Sequence, residues 1–586
     1  MNFKEKKFIQ TNSPVQQETS IEKKFILYTL VITLGLSIIL FLIHYYGPPQ
    51  FNPLNNFAIF YYFIIKYDTP VSILFIGIIL AVLMLKINNS SYKLLSLCEK
   101  LPRSFIVVIL LILCLLSITF YRGRPLCMDE FSPWFQAKTF AAGSLNGKVP
   151  PKIMPLAFPF PINGFIPGNP ETGKMLSKYW PGFALLLTPF MALGIPWLLN
   201  PLLSIGIILL LRRLSKQLFP NHKEMSGWVI LLTLTSPQFL ITGISFYTMQ
   251  AHLFFNLAFL TLFLENKNRA LFIAGLCGSL AMLQHKLAPH LLFAFPWFIL
   301  LFTQKKGIRR GLVLVSGYIP LLTLLGGGYY LLRSSVLGNF GDKQQENSVI
   351  QFISHIIPIS LPTYEIIWIR LLCFVKTWLW AVPGLITLTA LGIYFKRKEK
   401  YFIALAASLI LTFVATFFFG GSQGHGWGFR YFHSVWAVMP LLAIPTLLAA
   451  KNSGLTQIKA NTLVPPLKEM VLALCILSLF VVTSLQLFFI HDHMSNHYRN
   501  LPPFDPDVNS IVFIRSQSFY TVDMIQNDPF LRNSYLLLAS PGSLQKEKNI
   551  IQNYFPKAEL SKQDRLKRVW LLPKHPKKYL ENNNDS

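Results

Sequence analysis

Again and again along this chain an apolar run of roughly twenty residues, long enough to cross about 30 Å of hydrocarbon as a helix, ends in a short basic loop. The runs fall near 25–44, 70–86, 104–121, 196–211, 226–245, 247–264, 270–285, 288–303, 311–332, 371–395, 401–419, 432–450 and 470–490, which makes about thirteen spans. In hydrocarbon a segment must satisfy its own backbone hydrogen bonds, so these runs can only be helices. The expected fold is an all-α polytopic membrane protein. Composition agrees: charged residues are 13% of the chain, against about 25% in soluble domains.

Lys and Arg number 53 against 25 Asp and Glu, a formal charge of +28. That excess would suit a nucleic-acid partner if it lined one face, but it is confined to loops between apolar runs, so no nucleic acid is expected. "EKK", "KINNSSYKLLSLCEKLPR", "RRLSKQLFPNHK", "ENKNR", "TQKKGIRR" and "KRKEK" share one side if the spans alternate, and by the positive-inside rule that side is the cytoplasm. The expected topology is a bacterial inner-membrane protein with a cytoplasmic tail over 1–23, a multi-pass domain over 24–490 and an outward C-terminus. The first apolar run is too long for a signal-peptide core and lacks a small-x-small cleavage site, so it reads as an uncleaved anchor. Cys114, Cys277, Cys373 and Cys475 lie in apolar runs, Cys98 in a basic loop and Cys127 in an outward one, which implies no disulfide framework.

Every long loop is then outward: 122–179, "FYTMQAH", "QHKLAPH", 333–370, "GGSQGHGWGFR" and the tail 491–586. In the tail, "SIVFIR", "SYLLLAS" and "RVWLLP" alternate with polar stretches, as expected of a small α/β domain. The segment 180–196 is apolar but carries Pro181, Pro189 and Pro196, and counting it as a span would put "RRLSKQ" outside. It reads as a re-entrant or interfacial helix.

In the first outward loop, "CMDEFSPW" places Asp129 and Glu130 at the membrane surface. Ser132 followed by Pro133 predicts a helix start, Gly143 its end, and the two acids just before the N-terminus, where the helix dipole favours their ionised forms. The loop continues through a proline- and aromatic-rich stretch and closes on Glu171, Lys174, Lys178 and Tyr179. Ordered loops of such length tend to carry function. Elsewhere, His491, Asp492, His493 and His497 have spacing that could hold zinc but suit an interfacial helix end, and "LGGGYY" lies in a span, where close helix packing is expected.

Four blocks in order, "MDEFSPWFQAKTFAAGSL", "SKYWPGFALLLTPFMALG" with "PWLLNPLLSIGIILLLRRL", "SPQFLITGISFYTMQAHLFF" and "GWGFRYFHSVWAVMPLLA", span about four-fifths of the chain. By these the chain resembles the C-type, polyprenyl-phosphate-sugar-dependent glycosyltransferases, in particular the bacterial relatives of protein mannosyltransferases (glycosyltransferase family 39) and of the aminoarabinose transferase acting on lipid A. The resemblance implies transfer of a sugar from a polyprenyl-phosphate donor to a lipid, glycan or protein acceptor, with inversion. It implies Asp129 as the catalytic carboxylate, with Glu130 as the second acid of the pair. A base must take the acceptor's hydroxyl proton, and inversion needs no nucleophilic second carboxylate.

The leaving phosphate calls for cations, and Lys178, His285, Lys286, Arg333, His425 and Arg430 lie on the outward loops or their junctions, with Tyr179 beside Lys178. Arg430 and Tyr431 match the family's Gly-Pro-Arg-Tyr element, and a guanidinium grips phosphate bidentately. The chain departs from the family in three ways. Two spans precede the one leading into Asp129, Phe429 replaces the element's proline, and "FYTMQAH" offers Gln250 and His252 where relatives carry an acid. Nothing in the sequence supports a divalent metal.

Two other classes share the compartment. A transporter or flippase is expected to show inverted repeats and mid-membrane charges, whereas Lys376 is the one obvious intramembrane charge and sits near a span end, where it can snorkel. An oligosaccharide polymerase or ligase is expected to carry its main loop late in the chain.

Overall fold

The computed structural model describes residues 14–46, 56–85, 91–338, 360–420, 423–424, 426–450, 465–499, 508–515 and 523–582. Among these, six helices are long and apolar enough to cross a membrane: Ile21–Tyr46, Ile59–Met84, Pro196–Leu218, Gly307–Leu337, Lys400–Phe418 and Leu467–Arg499. The count reaches nine if three sharply bent pairs each form one span, Ser91–Lys100 with Arg103–Thr119, Met225–Leu234 with Pro237–Ile244, and Arg430–Trp436 with Val438–Ala449. Met249–Phe263, Asn268–Met282, Ala288–Phe302 and Leu385–Phe395 are apolar but shorter. The window 371–395 is not one helix: it breaks between Tyr364–Leu379 and Leu385–Phe395, where Gly384 takes φ +85°.

Helix Leu199–Leu218 shows how the bundle is polarised. At its start Asn200 donates to the carbonyls of Ser245 (2.7 Å) and Tyr247 (3.0 Å), while at its end Arg212 donates to the Lys100 carbonyl (3.0 Å) and Arg213 pairs with Glu265. The loops of Lys100 and Glu265 therefore lie at the end of the bundle opposite residues 245–247, where the Phe246 N–H also bonds Glu130 of the outward loop (3.0 Å).

The two N-terminal spans pack on late helices. Thr29 donates to Thr387 (3.0 Å), Trp378 to Thr33 (3.0 Å), and Phe25 sits against Gly384. Lys376 does not snorkel, nor is it the lone intramembrane charge. It pairs with Asp68 at 2.5 Å, both side chains 1% exposed, and the Trp380 indole donates to the same carboxylate at 2.7 Å. Only such a partner makes a buried ammonium tolerable. The "LGGGYY" segment meets expectation only in part: it opens a wide helical turn over Leu322–Gly327, in which a Cβ on buried Gly326 would come 3.3 Å from the Leu283 side chain, whereas one on Gly327 or Gly328 would meet nothing within 4 Å. Helix backbones pack more closely at Gly275 and Gly317, where a Cβ on Gly275 would come 2.8 Å from the Gly317 Cα.

The proline-broken segment forms the short helix Gly182–Ala192, and Phe183, Ala184 and Leu187 bury with Ala137, Leu199, Leu203 and Ala251. The loop before it is pinned by a two-residue antiparallel pair, β1 (Gly147–Lys148) and β2 (Lys174–Met175). In the tail, β3 (Asn509–Ile514), β4 (Tyr535–Ala539), β5 (Glu559–Gln563) and β6 (Lys567–Leu572) form one sheet in the order β4-β3-β6-β5. The β3–β4 pairing is parallel and the other two are antiparallel. The sheet shares a hydrophobic core with the Asp129 loop, in which Phe131, Phe135 and Ile153 pack with Val512, Ile525 and Leu537.

Candidate active site

The helix carrying the acid pair spans Met128–Ala141, so it begins before Ser132, and Pro133 lies inside it. The proline gives up the bond to the Asp129 carbonyl, and acids supply compensating caps at the start. Asp523, from the tail, accepts from the Met128 N–H at 2.9 Å, and Glu130 turns back to accept from the Leu126 N–H at 2.6 Å. The reach of a first-turn acid back to the entering backbone is the logic of a capping box.

Glu130 consequently leaves the site. It is fully buried, and its other oxygen accepts from the Tyr121 hydroxyl (2.7 Å) and the Phe246 N–H (3.0 Å), joining three segments. Burial pushes its carboxyl up to about 7, against the pull of those donors.

Asp129 faces the other way and keeps 24% of its side chain exposed. Tyr179 donates to Oδ1, and the Arg430 Nη2 to Oδ2 at 3.0 Å. Burial works to raise its carboxyl, but the Arg430 charge and the Tyr179 hydrogen bond prevail and hold it down at about 2. Tyr179 is set in place by the same helix. The Gln136 side chain accepts from the Ser177 N–H (2.9 Å), Ser132 bonds the Ser177 hydroxyl (2.8 Å), and that hydroxyl accepts from the Tyr179 N–H (3.1 Å).

His285 lies with its ring 3.8 Å from that of Tyr179, and burial holds it well below the usual histidine value, so the ring is neutral. Arg430 is therefore the charge that governs Asp129. His285 reaches this position because the Gly182 N–H bonds the Leu283 carbonyl at 2.8 Å, where a Cβ would sit 2.5 Å from the same oxygen.

Arg430 is 3% exposed. Its guanidinium lies 4.4 Å from the Tyr247 ring centroid, its Nη2 also donates to the Gln423 carbonyl, and its backbone N–H bonds the Gln423 side chain at 3.0 Å. Gln423 in turn donates to the Gly428 carbonyl (2.8 Å), while Gln238 accepts from the Phe429 N–H (3.0 Å). Gly428 takes φ +64°, and a Cβ there would stand 1.7 Å from the Gln238 Oε1. The Nε and Nη1 of Arg430 are buried with no hydrogen-bond partner among the described residues. Leaving such donors unsatisfied costs about 1–3 kcal/mol each.

The remaining candidates divide. Lys178 and Lys286 are exposed and flank Tyr179 and His285 in sequence; desolvation and the Lys178 charge hold the Lys286 ammonium down, with Asp129 opposing. Tyr431 is partly buried, with the Arg370 guanidinium 5.4 Å from its ring. Arg333 stands within helix Gly328–Leu337 rather than on a loop, one turn past Tyr329, whose hydroxyl donates to the Ser177 carbonyl at 2.7 Å. His425 lies outside the described residues. Gln423, Gln238, Tyr247 and Asp523 were not foreseen; only the glycine density around Arg430 hinted at a loop held by its neighbours. His493 bonds the Tyr67 hydroxyl at 3.1 Å, and among the described residues no group of three or more His, Cys, Asp or Glu is placed to hold a metal ion.

No family model and no curated protein matches this chain. Among solved structures, ArnT from Cupriavidus metallidurans bound to undecaprenyl phosphate matches with a TM-score of 0.50 at 10% identity, covering 80% of this chain and 97% of ArnT. The same ArnT in the apo state gives a TM-score of 0.48 at the same identity and coverage. The likeness is one of fold: this chain shares the polytopic helical architecture of ArnT over nearly that protein's whole length.

Proposed function

We propose that this protein is an inverting membrane glycosyltransferase that moves a sugar from a polyprenyl-phosphate donor to an acceptor hydroxyl on the outer face of the bacterial inner membrane. The observation that carries the reading is the pairing of a partly exposed, ionised Asp129 with a buried Arg430, whose Nε and Nη1 have no hydrogen-bond partner among the described residues. The ArnT fold agrees with a lipid carrier, since that neighbour was solved with undecaprenyl phosphate. The reading includes about thirteen spans, an inward N-terminus and an outward tail.

Asp129 takes the proton of the acceptor hydroxyl as its oxygen bonds the anomeric carbon, and the bond to the phosphate oxygen breaks with its electron pair going to the departing polyprenyl phosphate. In the free protein Asp129 is too acidic to be an effective base. When Arg430 turns its guanidinium to the donor phosphate, the charge holding Asp129 down is shared, and the carboxylate becomes basic enough for proton transfer. Binding of the donor thus arms the base. Tyr179 and neutral His285 keep the carboxylate aimed, and Lys178 and Lys286 add positive charge at the mouth.

The test is transfer from a labelled lipid-linked sugar in membranes. Asp129→Asn is expected to cut turnover about 10²- to 10⁴-fold with donor binding retained, and Arg430→Gln to weaken donor binding. Wild-type transfer by Asp129→Asn overturns the assignment.

A further inference from the structure

The second span, Ile59–Met84, is not a plain α-helix: over Ile64–Asp68 it opens a π turn. The extra residue in such a turn brings Tyr67, Asp68 and Thr69, three in succession, to the buried side. Asp68 takes the Lys376 ammonium and the Trp380 indole, which ties this span to the end of helix Tyr364–Leu379. Tyr67, beside it, shares a hydrogen bond of 3.1 Å with His493 on the final span.

Between these three helices stands Trp427, 3% exposed. Its ring centroid lies 4.8 Å from that of Phe63, 5.9 Å from Tyr67, 5.5 Å from His493 and 6.4 Å from Trp380, the spacing of attractive aromatic pairs. Trp427 comes three residues before Arg430, with a glycine on each side. Gly426 and Gly428 leave the backbone free and give it no side chain to pack, so order in residues 426–430 must be imposed by their neighbours. At one end Gln423 and Gln238 hold the backbone groups of Gly428, Phe429 and Arg430. At the other end the buried indole is the anchor.

We infer that Phe63 and Tyr67 are positioning residues, which clamp Trp427 and thereby hold Arg430 where it meets the donor phosphate. The use of Arg430 rests on the glycosyltransferase reading. The clamp itself does not.

The test is hydrogen–deuterium exchange of the full chain in nanodiscs, read beside its affinity for undecaprenyl phosphate. Phe63→Ala and Trp427→Ala should each speed exchange across residues 426–432, while exchange in the tail sheet stays at the wild-type rate. Each should also weaken the lipid phosphate about two- to tenfold, the range that one aromatic pair spans. The double variant should bind no more weakly than Trp427→Ala alone, because both changes remove the same contact. Trp427→Phe, which keeps a ring between the helices, should recover most of both effects. Unchanged exchange across 426–432, or additive losses in the double variant, overturns the clamp. Faster exchange with undiminished lipid affinity in Phe63→Ala, where Arg430→Gln does weaken binding, overturns the positioning of Arg430. If Arg430→Gln leaves the affinity unchanged, the donor reading fails, and the exchange rates decide the clamp alone.

Discussion

Glu130→Gln gives the sharpest test of how the acid pair divides its work. The side chain is fully buried and accepts from Tyr121, Leu126 and Phe246. Its carboxyl titrates near 7 in the folded protein against 4.5 ordinarily, because burial disfavours the charged form. With the folded value raised, the folded state holds a proton that the unfolded state has lost. The associated stability is fully present below pH 4.5 and is lost as the pH rises through about 7. At 1.36 kcal/mol per unit the loss is about 3 kcal/mol.

Glutamine mimics the protonated acid and cannot titrate, so it lacks this loss. Wild-type stability alone is a poor measure, because His285, held neutral, opposes the trend by destabilising the fold as the pH drops below 6.5. The difference between variant and wild type removes that contribution. Thermal unfolding of both in the same detergent at pH 5 and pH 8 should show Glu130→Gln gaining on the wild type by about 2.5 kcal/mol at the higher pH, since part of the loss has already occurred at pH 5. Parallel pH profiles would refute the assignment of a buried, proton-binding Glu130, and with it the separation of roles between the two acids.

Asp68→Asn should lower stability by about 3–5 kcal/mol, because Lys376 is left charged and buried without its partner; Asp68→Asn with Lys376→Met should recover most of that in the same unfolding assay. Tyr179→Phe removes a donor from Asp129 and so raises its carboxyl. The acid limb of the kcat/KM profile should move to higher pH, and an unmoved limb counts against Asp129 as the titrating base. Gly428→Ala forces a Cβ onto the Gln238 side chain in left-handed backbone, which should displace Arg430 and raise the KM for the lipid donor tenfold or more, by about 1.4 kcal/mol, while the tail sheet keeps its protease resistance.

Much was legible because hydrophobic patterning and loop charge are one-dimensional quantities. Apolar run length, basic loops and the proline-broken segment before Leu199 required only the chain order. Asp129, Tyr179, His285 and Arg430 were each singled out from sequence as well, and the fold unites them across a separation of 301 residues between Asp129 and Arg430. The helix bearing Asp129 starts earlier than the Ser132–Pro133 signal predicts, because the caps that allow that start come from Glu130 bending back and from Asp523, 395 residues from Met128.

Sequence by itself determined that the chain crosses a membrane, which loops are basic, and where an acid-bearing loop stands, since each follows from local transfer free energies and charge counts. Tertiary structure alone decided what each charge does. Lys376 reads from sequence as an intramembrane charge able to snorkel from a span end, whereas the fold sets Asp68 against it, 308 residues away; the resemblance ranks Asp129 above Glu130, but only the fold gives Asp129 an arginine and solvent and Glu130 a dry shell of donors. A charge in a low-dielectric interior is governed by its nearest partner, and no sequence pattern specifies a partner hundreds of residues distant.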